Sequence, residues 1–400
     1  MKRESIIGFL VLILVLTGAF ILFDANVATR FLIGIAFGFV LVRASIGFAG
    51  SVNKLYRAGS SQVAQTIIWI FIVTSIFTAF IISGDESSYK LSIYPINVGL
   101  MLGGILFGFG MALSSCCATG SLTDLSSGFS RAAITIFFFG AGVLLGFKAQ
   151  AQSPFVKESW LTSPTGESFK NGVFLPDYFK FDGFDGYLGA VLLTTLFGFV
   201  AIYIAKRFDN STDAKEHNEV GFFERWFVQP WKMHVTVVAL SSVFAFLLYY
   251  SHKGWSASSA FGYWFGKFLM LFGVDAQSLA TYSSRDISNF ITPITQHSAS
   301  MQNIGIALGS VLALMIAGSF SSKFIAGLRV TPKGALTFAA GGFLMGIGTR
   351  LSNGCNVGAL YTPIAEFSLS GWVYLVFVVI GGVLGNRFLQ RYISKSCSVV

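Results

Sequence analysis

Residues 103–120 read Gly103-Gly-Ile-Leu-Phe-Gly-Phe-Gly-Met-Ala-Leu-Ser-Ser-Cys-Cys-Ala-Thr-Gly120, and a second copy reads Gly341-Gly-Phe-Leu-Met-Gly-Ile-Gly-Thr-Arg-Leu-Ser-Asn-Gly-Cys-Asn-Val-Gly358. At one constant offset the two copies share glycines, a Leu-Ser pair and a cysteine. The matched pairs are Gly103/Gly341, Gly104/Gly342, Gly108/Gly346, Gly110/Gly348, Leu113/Leu351, Ser114/Ser352, Cys117/Cys355 and Gly120/Gly358. A cysteine motif repeated in a hydrophobic chain predicts a two-fold repeated membrane protein with a site between its halves.

The composition also indicates a membrane protein. The 400-residue chain is 54% hydrophobic and only 11% charged, whereas soluble domains carry about 25% charged residues. Its 43 Phe and 44 Gly suit lipid-facing surfaces and closely packed transmembrane helices. The net charge of +9 comes from short loops between apolar runs. We therefore interpret it as a determinant of topology in the lipid bilayer, and expect no nucleic-acid partner.

Ten apolar runs approach the length of about 20 residues that a spanning helix needs. They are 6–23, 31–49, 61–83, 97–115, 131–147, 187–204, 235–250, 303–320, 335–351 and 371–389. Several are rich in glycine, which leaves open whether they span or turn back. The first follows Lys2-Arg3 and is interpreted as a retained anchor rather than a signal peptide, because its apolar run is long and no small-x-small site follows. Residues 254–273 are interpreted as an interfacial or re-entrant helix.

The distribution of charge predicts the topology. Alternating spans place the basic connections on the cytoplasmic side, with both termini, and the acidic segments 84–92 and 150–186 outside. The motif helices then enter an inner membrane from opposite sides. The predicted fold is an all-α polytopic membrane protein built as an inverted two-fold repeat, with short re-entrant or broken helices at the cysteine motifs. Its parts are an N-terminal half 1–205, a cytoplasmic linker 206–234 and a C-terminal half 235–400.

A shorter similarity lies upstream of the motifs. Ile33-Gly-Ile-Ala-Phe-Gly38 resembles Ile304-Gly-Ile-Ala-Leu-Gly309, which suggests a longer repeat. The same count of spans, however, gives these two elements the same direction. Either the similarity is coincidental or one span is miscounted, and the cysteine motif is the longer match.

Each motif predicts a helix that stops at a cysteine. Gly104-x3-Gly108 and Gly342-x3-Gly346 allow close helix approach, and a glycine follows each cysteine before a new helix-capable run. Cys117 and Cys355 are therefore expected at breaks where backbone groups can meet a substrate. Neutral thiols are weak S–H donors, and helix N-termini favour anions. Such a site suits a small sulphur-containing anion better than a metal.

Several neighbours are candidates for the substrate path. Arg350, five residues before Cys355, is a candidate for substrate attraction, although snorkelling to an interface is an alternative for it and for Arg43. Cys116 aligns with Gly354, so it has no cysteine counterpart in the second copy. Its role is left open: it could be a packing residue, a redox partner or a second relay thiol. Polar side chains that could line the path or satisfy broken-helix backbone are Ser114, Ser115, Thr119, Ser352, Asn353 and Asn356.

No catalytic residue, metal site or cofactor is predicted. The chain has no CxxC pair, its four histidines are scattered through predicted loops, and it lacks a phosphate-binding loop. Cys397 in the C-terminal tail is interpreted as incidental.

At the cysteine motifs the chain resembles the YeeE/YedE family of bacterial sulphur-compound transporters. The resemblance covers most of the chain, including the segment from Arg43 to Gly50. It implies an all-helical inverted repeat, transport of thiosulfate or a related sulphur anion, and Cys117 and Cys355 as relay thiols. Family members typically carry a cysteine where this chain has Gly47, and Gly-Cys where it has Cys116-Cys117. By analogy a cytoplasmic sulphur-carrier protein is a partner.

Two alternatives use the same residues. Cys116, Cys117 and Cys355 could form a membrane thiol oxidoreductase that exchanges electrons with a quinone, which needs a disulphide that cycles. Adjacent cysteines form strained bridges, and this disfavours the enzyme. The scaffold could also carry a different solute, in which case replacing either thiol by serine barely changes the flux.

Overall fold

The chain is helical throughout the residues that the computed structural model describes, 3–210 and 221–393, with no extended strand in these ranges. Cys397, Lys215 and Lys395 lie outside them. The principal helices are α1 (Arg3–Leu22), α2 (Ala25–Ala44), α3 (Phe48–Ala58), α4 (Gln62–Ile82), α5 (Val98–Ser114), α6 (Ala118–Asp124), α7 (Phe129–Gln152), α8 (Tyr187–Arg207), α9 (Met233–Ser251), α10 (Ser258–Met270), α11 (Ala276–Ser283), α12 (Ser298–Ile316), α13 (Phe320–Ala326), α14 (Pro332–Leu351), α15 (a π-helical turn Asn356–Tyr361 continued by Thr362–Ala365) and α16 (Leu369–Phe388). Shorter helical turns are Glu86–Ser88, Pro154–Lys157, Pro164–Phe169, Leu175–Tyr178, Glu224–Val228, Ser288–Ile291, Ile294–Gln296 and Leu389–Ile393.

Nine helical stretches in the described part of the chain are long and apolar enough to cross a membrane. They are α1, α2, α4, α5 with α6, α7, α8, α9, α12 and α16 with the turn that follows it. Large apolar side chains such as Leu14, Ile21 and Leu192 point outwards on them, as lipid contact requires. The prediction of an all-α polytopic membrane protein is confirmed.

The remaining predicted run, 335–351, lies in α14, which is not among the nine. This helix is 20 residues long and includes Lys333 and Arg350. It packs extensively against α5 and α7. Because protein rather than lipid surrounds much of it, it needs less hydropathy than a lipid-facing helix.

The helix connections gather at two ends of the bundle. At one end, here the loop side, the backbone N–H of Lys90 donates to His252 and that of Leu175 donates to Phe367. This end holds the segments 83–97, 153–186 and 252–257. At the opposite end, the linker side, the N–H of Asn210 donates to Gly59 and that of Ser130 donates to Gly327. The basic connections predicted to share one side thus lie together at the linker side.

The two motif helices, α5 and α14, pack against each other in opposite directions through their glycines. A Cβ built on Gly103 would lie 2.6 Å from the carbonyl oxygen of Gly348, and one on Gly110 would lie 2.5 Å from that of Gly341. In the repeat alignment Gly103 corresponds to Gly341 and Gly110 to Gly348. Each contact is therefore the image of the other under exchange of the two motifs.

The helices that flank this pair show the same exchange. Gly108 of α5 meets α16, where an added Cβ would lie 2.1 Å from the Val378 carbonyl oxygen. Its counterpart Gly346 of α14 meets α7, at 2.4 Å from the Phe139 carbonyl oxygen. The four helices α7, α14, α5 and α16 therefore form a row with glycine at every crossing, since only glycine permits backbones to approach this closely.

The similarity between residues 33–38 and 304–309 arises from helix packing rather than from the repeat. A Cβ on Gly34 of α2 would meet Gln302 of α12, and one on Gly38 would meet Ile306. The contacts advance together along both helices, so α2 and α12 run parallel. Counterparts in an inverted repeat run in opposite directions. The segments 33–38 and 304–309 are therefore contact partners with matching glycine stripes, and the proposed extension of the repeat through them is wrong.

The segment predicted to be interfacial or re-entrant forms a helical hairpin. Ser258, at the start of α10, contacts Arg350 at the loop-side end of α14. Farther along, Phe268 packs on Phe137, near the linker-side end of α7. The chain then turns, and Tyr282 of α11 returns to the carbonyl of Leu145. The hairpin thus enters the bundle from the loop side and returns towards it.

Candidate functional site

Both motif helices break immediately before their cysteines. α5 ends at Ser114, and Ser115 takes a left-handed conformation with φ 57°. In the second copy α14 ends at Leu351, and Asn353 takes φ 61°. A left-handed residue just beyond the last turn ends a helix and frees its final carbonyls.

The serine before each break closes the turn in the same way. The Ser114 hydroxyl donates to the Gly110 carbonyl at 2.8 Å and to the Cys116 carbonyl at 2.9 Å. The Ser352 hydroxyl donates to the equivalent carbonyls, those of Gly348 at 2.8 Å and Gly354 at 3.0 Å. These bonds satisfy backbone acceptors that the broken helices leave free.

Each motif cysteine is the N-cap of the short helix that follows. The sulphur of Cys117 accepts the backbone N–H of Gly120 at 3.3 Å at the start of α6. Cys355 holds the same N-cap position at the start of α15, but its sulphur accepts no capping hydrogen bond. Both thiols are buried, at 2% and 1% exposed.

The two short helices point away from each other. α6 runs from Cys117 towards the linker side, where Gly128 lies against Gly327. α15 runs from Cys355 towards the loop side, where Glu366 accepts the backbone N–H of Ser92. Their N-termini, with the cysteines, thus face the middle of the bundle. Paired helix N-termini in a membrane interior favour an anion between them.

Tyr374 of α16 connects the two motifs, and the motif sequences carry no signal for it. Its ring is fully buried and packs beside Phe107 of α5, with the ring centroids 6.5 Å apart. Its hydroxyl donates to the Asn356 side chain at 3.4 Å, and the Asn356 amide donates to the sulphur of Met111 at 3.2 Å. Asn356, a sequence-predicted site residue, thus bridges α16 to α5.

The loop-side end of α14 is basic. Arg350, 2% exposed, donates to the hydroxyls of Ser258 and Ser259. Nearby, the Asn353 side chain accepts from Gln150 at 2.8 Å, and Gln150 in turn accepts from Arg285 at 2.5 Å. Arg350 and Asn353 are therefore brought together beside the Cys355 break, and Arg350 faces protein, as a charged group within the bundle requires.

Three other candidates occupy different places. Thr119 is buried in α6, and its hydroxyl has no hydrogen-bond partner among the described residues. Ser115 shapes the break by its backbone. Gly47 lies at the linker side as the N-cap of α3, where an added Cβ would meet only the Gly50 nitrogen, at 3.8 Å. Arg43 faces protein too, because its guanidinium donates to the Phe227 carbonyl at 2.6 Å.

The adjacent cysteines have separate surroundings. The thiol of Cys116 lies 3.1 Å from the Ser121 hydroxyl, whereas that of Cys117 is turned to Gly120. Among the described residues, Cys116, Cys117 and Cys355 take part in no disulphide. In the described ranges no three His, Cys, Asp or Glu side chains are arranged to hold a metal ion. At the two helix breaks, the thiols and the backbone N–H groups of the helix starts are candidate donors to an anion.

The fold and the apolar helices define a multi-pass membrane protein whose core holds two broken helices. Residues 43–384 match the family model described as "Sulphur transport". The chain therefore belongs to the sulphur transport family, and it is a membrane transporter.

Individual relatives agree. The chain is 25% identical over 362 residues to the thiosulfate transporter TsuA of Spirochaeta thermophila, a match that covers 88% of this chain and 96% of that protein. It is 23% identical over 351 residues to the thiosulfate transporter TsuA of Escherichia coli, covering 87% and 90% of the two chains. A probable transporter, YedE of Salmonella typhimurium, is 28% identical over 176 residues, which is 42% of this chain and 40% of that protein.

Proposed function

We propose that the protein takes up thiosulfate, or a closely related small sulphur-containing anion, along a path that passes the thiols of Cys355 and Cys117. The observation that carries this proposal is the equivalent placement of the two thiols. Each caps a short helix, and both helices begin in the middle of the bundle and run towards opposite ends. Relatives named as thiosulfate transporters over most of the chain support the choice of substrate.

The thiols act as donors to the moving anion. The sulphur of Cys117 accepts the backbone N–H of Gly120, and a neutral thiol is also a weak S–H donor to an oxygen or sulphur atom of the anion. Cys355 holds the equivalent N-cap position, without a capping hydrogen bond to its sulphur, and supplies a second S–H donor. Neutral S–H donors bind an anion more weakly than a guanidinium does, and weak, successive sites allow release as well as binding.

An inverted repeat explains why Cys117 and Cys355 hold matching positions. The exchanged glycine contacts of α5 and α14 support a pseudo-two-fold axis that runs through this helix pair. The anion enters from the loop side, meets Cys355, passes Tyr374 and Asn356, and reaches Cys117.

The loop side is then external and the linker side cytoplasmic, in a bacterial inner membrane. The halves 1–205 and 235–400 are joined by the linker 206–234. Delivery to a cytoplasmic sulphur-carrier protein stays a prediction.

The test is uptake of radiosulphur-labelled thiosulfate by proteoliposomes. Serine is a good helix N-cap, so Cys117→Ser and Cys355→Ser keep the helix starts. They replace the weak S–H donor by a stronger O–H donor, which holds the anion longer and slows its release. We expect each variant to lose most of the uptake, and Cys117→Ala and Cys355→Ala to lose nearly all of it. Cys397→Ser removes the remaining thiol outside the motifs and serves as the matched control. Full uptake by both serine variants would show that the scaffold carries its solute without these thiols.

A further inference from the structure

Two positive side chains lie against one aromatic ring at the loop-side end of α14. The guanidinium carbon of Arg285 is 4.7 Å from the centroid of the Phe147 ring, and that of Arg350 is 5.1 Å from it. Arg350 ends the second motif helix, whereas Arg285 follows the hairpin helix α11. The hairpin therefore brings a second arginine to the first, and the motif sequence gives no sign of this.

The charge of this pair is not balanced by a carboxylate. The two salt bridges among the described residues join Arg131 to Asp124 and Lys180 to Asp177. Both guanidinium groups instead bond neutral partners, and the Nε atom of each is buried without any hydrogen-bond partner. Two like charges held together with unused donors are unfavourable unless a counter-charge binds.

We propose that Arg285 and Arg350 form a binding station for a small divalent oxyanion on the loop side of Cys355. Guanidinium groups match the oxygens of a tetrahedral anion through paired N–H donors, and two of them balance a charge of minus two. The amide of Gln150 holds Arg285 and also bonds Asn353, in the break that leads to Cys355. The binding station formed by the two arginines therefore lies next to Cys355, the first thiol on the proposed path.

This inference rests on the proposed function and assigns different roles in it to the arginines and to the thiols. The arginine station recognises the charge and the oxygens of the anion, which sulfate and thiosulfate share. The thiols beyond it meet the terminal sulphur, which only thiosulfate has. Sulfate is thus expected to occupy the station without being carried past the thiols.

The experiment measures binding to the purified full chain by isothermal titration calorimetry, with sulfate, thiosulfate and bromide as probes. We expect sulfate and thiosulfate to bind more tightly than bromide. Arg285→Gln should weaken sulfate binding by about tenfold or more, because charge-assisted hydrogen bonds contribute that much. Arg350→Lys, which keeps the charge and loses the planar fork, should weaken it by less than Arg350→Gln. Arg329→Gln removes an exposed charge at the linker side and should leave binding unchanged.

Three results overturn the inference: wild type that does not bind sulfate, bromide binding as tight as sulfate binding, or a folded Arg285→Gln variant that binds sulfate like wild type. The test is separate from that of the proposed function. Sulfate binding that is lost in Arg285→Gln stands even if thiosulfate is not transported. Thiosulfate uptake that depends on both thiols, with sulfate binding unaffected by Arg285→Gln, retains the transport function and removes the station.

Discussion

Gly103 and Gly348 pack backbone against backbone, so that a Cβ on Gly348 would lie 2.7 Å from the carbonyl oxygen of Gly103 and the reverse contact would be 2.6 Å. No side chain fits between the two helices at this point. The contact fixes α5 against α14 near the loop-side end. Through these helices it also sets the separation of the breaks at Cys117 and Cys355.

The first prediction concerns this contact. Gly103→Ala should lower the melting temperature of the detergent-purified protein, because the added methyl group meets backbone that cannot rotate away; overpacking of this kind costs about 1–3 kcal/mol. Gly18→Ala is the control, since an added Cβ there meets nothing within 4 Å. Alanine in place of an unconstrained helical glycine stabilises by roughly 0.5–1 kcal/mol. Equal melting temperatures for the two variants would contradict the close contact.

The second prediction concerns Gly47, where the resemblance places a cysteine. The backbone there has φ −135° and ψ 135°, which any residue adopts, and an added Cβ has room. Gly47→Cys should therefore fold normally and raise the rate of thiosulfate uptake several-fold by adding a donor at the linker side. Gly47→Ala adds the Cβ without the thiol and is the matched control. A cysteine variant that is no faster than the alanine variant argues against a role for a third thiol.

The third prediction concerns pH and the loop-side segment 153–186. The Asp177 carboxylate accepts the backbone N–H of Thr165 at 2.8 Å and its hydroxyl at 2.6 Å. Burial alone would raise the pKa of Asp177, but the hydrogen bonds from Ser163 and Thr165, with the ammonium group of Lys180, hold it below the ordinary value of 3.8. A lowered pKa means that the unfolded loop takes up the proton first. The stabilisation is therefore complete well above pH 3.8 and is lost as the pH falls through the pKa of the folded state.

Hydrogen exchange of the Thr165 amide, corrected for the intrinsic pH effect, measures this. Protection should be constant between neutral pH and about pH 5 and should fall at lower pH. Asp177→Asn should reduce protection by about tenfold at neutral pH, because a bond to a charged acceptor is lost, and should flatten the acid dependence. Glu167→Gln removes an exposed carboxylate of the same segment and should behave like wild type. Protection that increases on acidification would reverse the sign and refute the account.

The sequence predicted the parts of the site that depend on local pattern. Glycine spacing indicates where helices meet, and the Ser-x-x-Cys-x-x-Gly ending of each motif places a break before Cys117 and Cys355. These features follow from backbone requirements within a few residues. Arg350 was singled out as a candidate as well, because a charge inside an apolar run is costly; its role in the site stays a prediction.

The sequence did not predict the partners that tertiary packing supplies. Tyr374 reaches Asn356 and Phe107 of the two motifs from a different helix, and Arg285 reaches Arg350 through a hairpin whose fold no local pattern specifies. The similarity of residues 33–38 to 304–309 was left unresolved for a related reason. Two glycine stripes that pack together look alike in sequence, whether or not a repeat relates them.

The two helix breaks before Cys117 and Cys355 are alike, but some of the side chains at equivalent positions differ. Cys116 stands opposite Gly354 in the repeat, and Thr119 stands opposite Val357, while the serines, the glycines and the capping cysteines are the same in both copies. A homodimer of identical halves would force every change at its entrance to appear at its exit as well. Because both copies lie on one polypeptide, a mutation in one copy leaves the other unchanged. The binding and the release of the anion can then be changed separately, and the rates of transport in the two directions can differ although the fold is pseudo-symmetric.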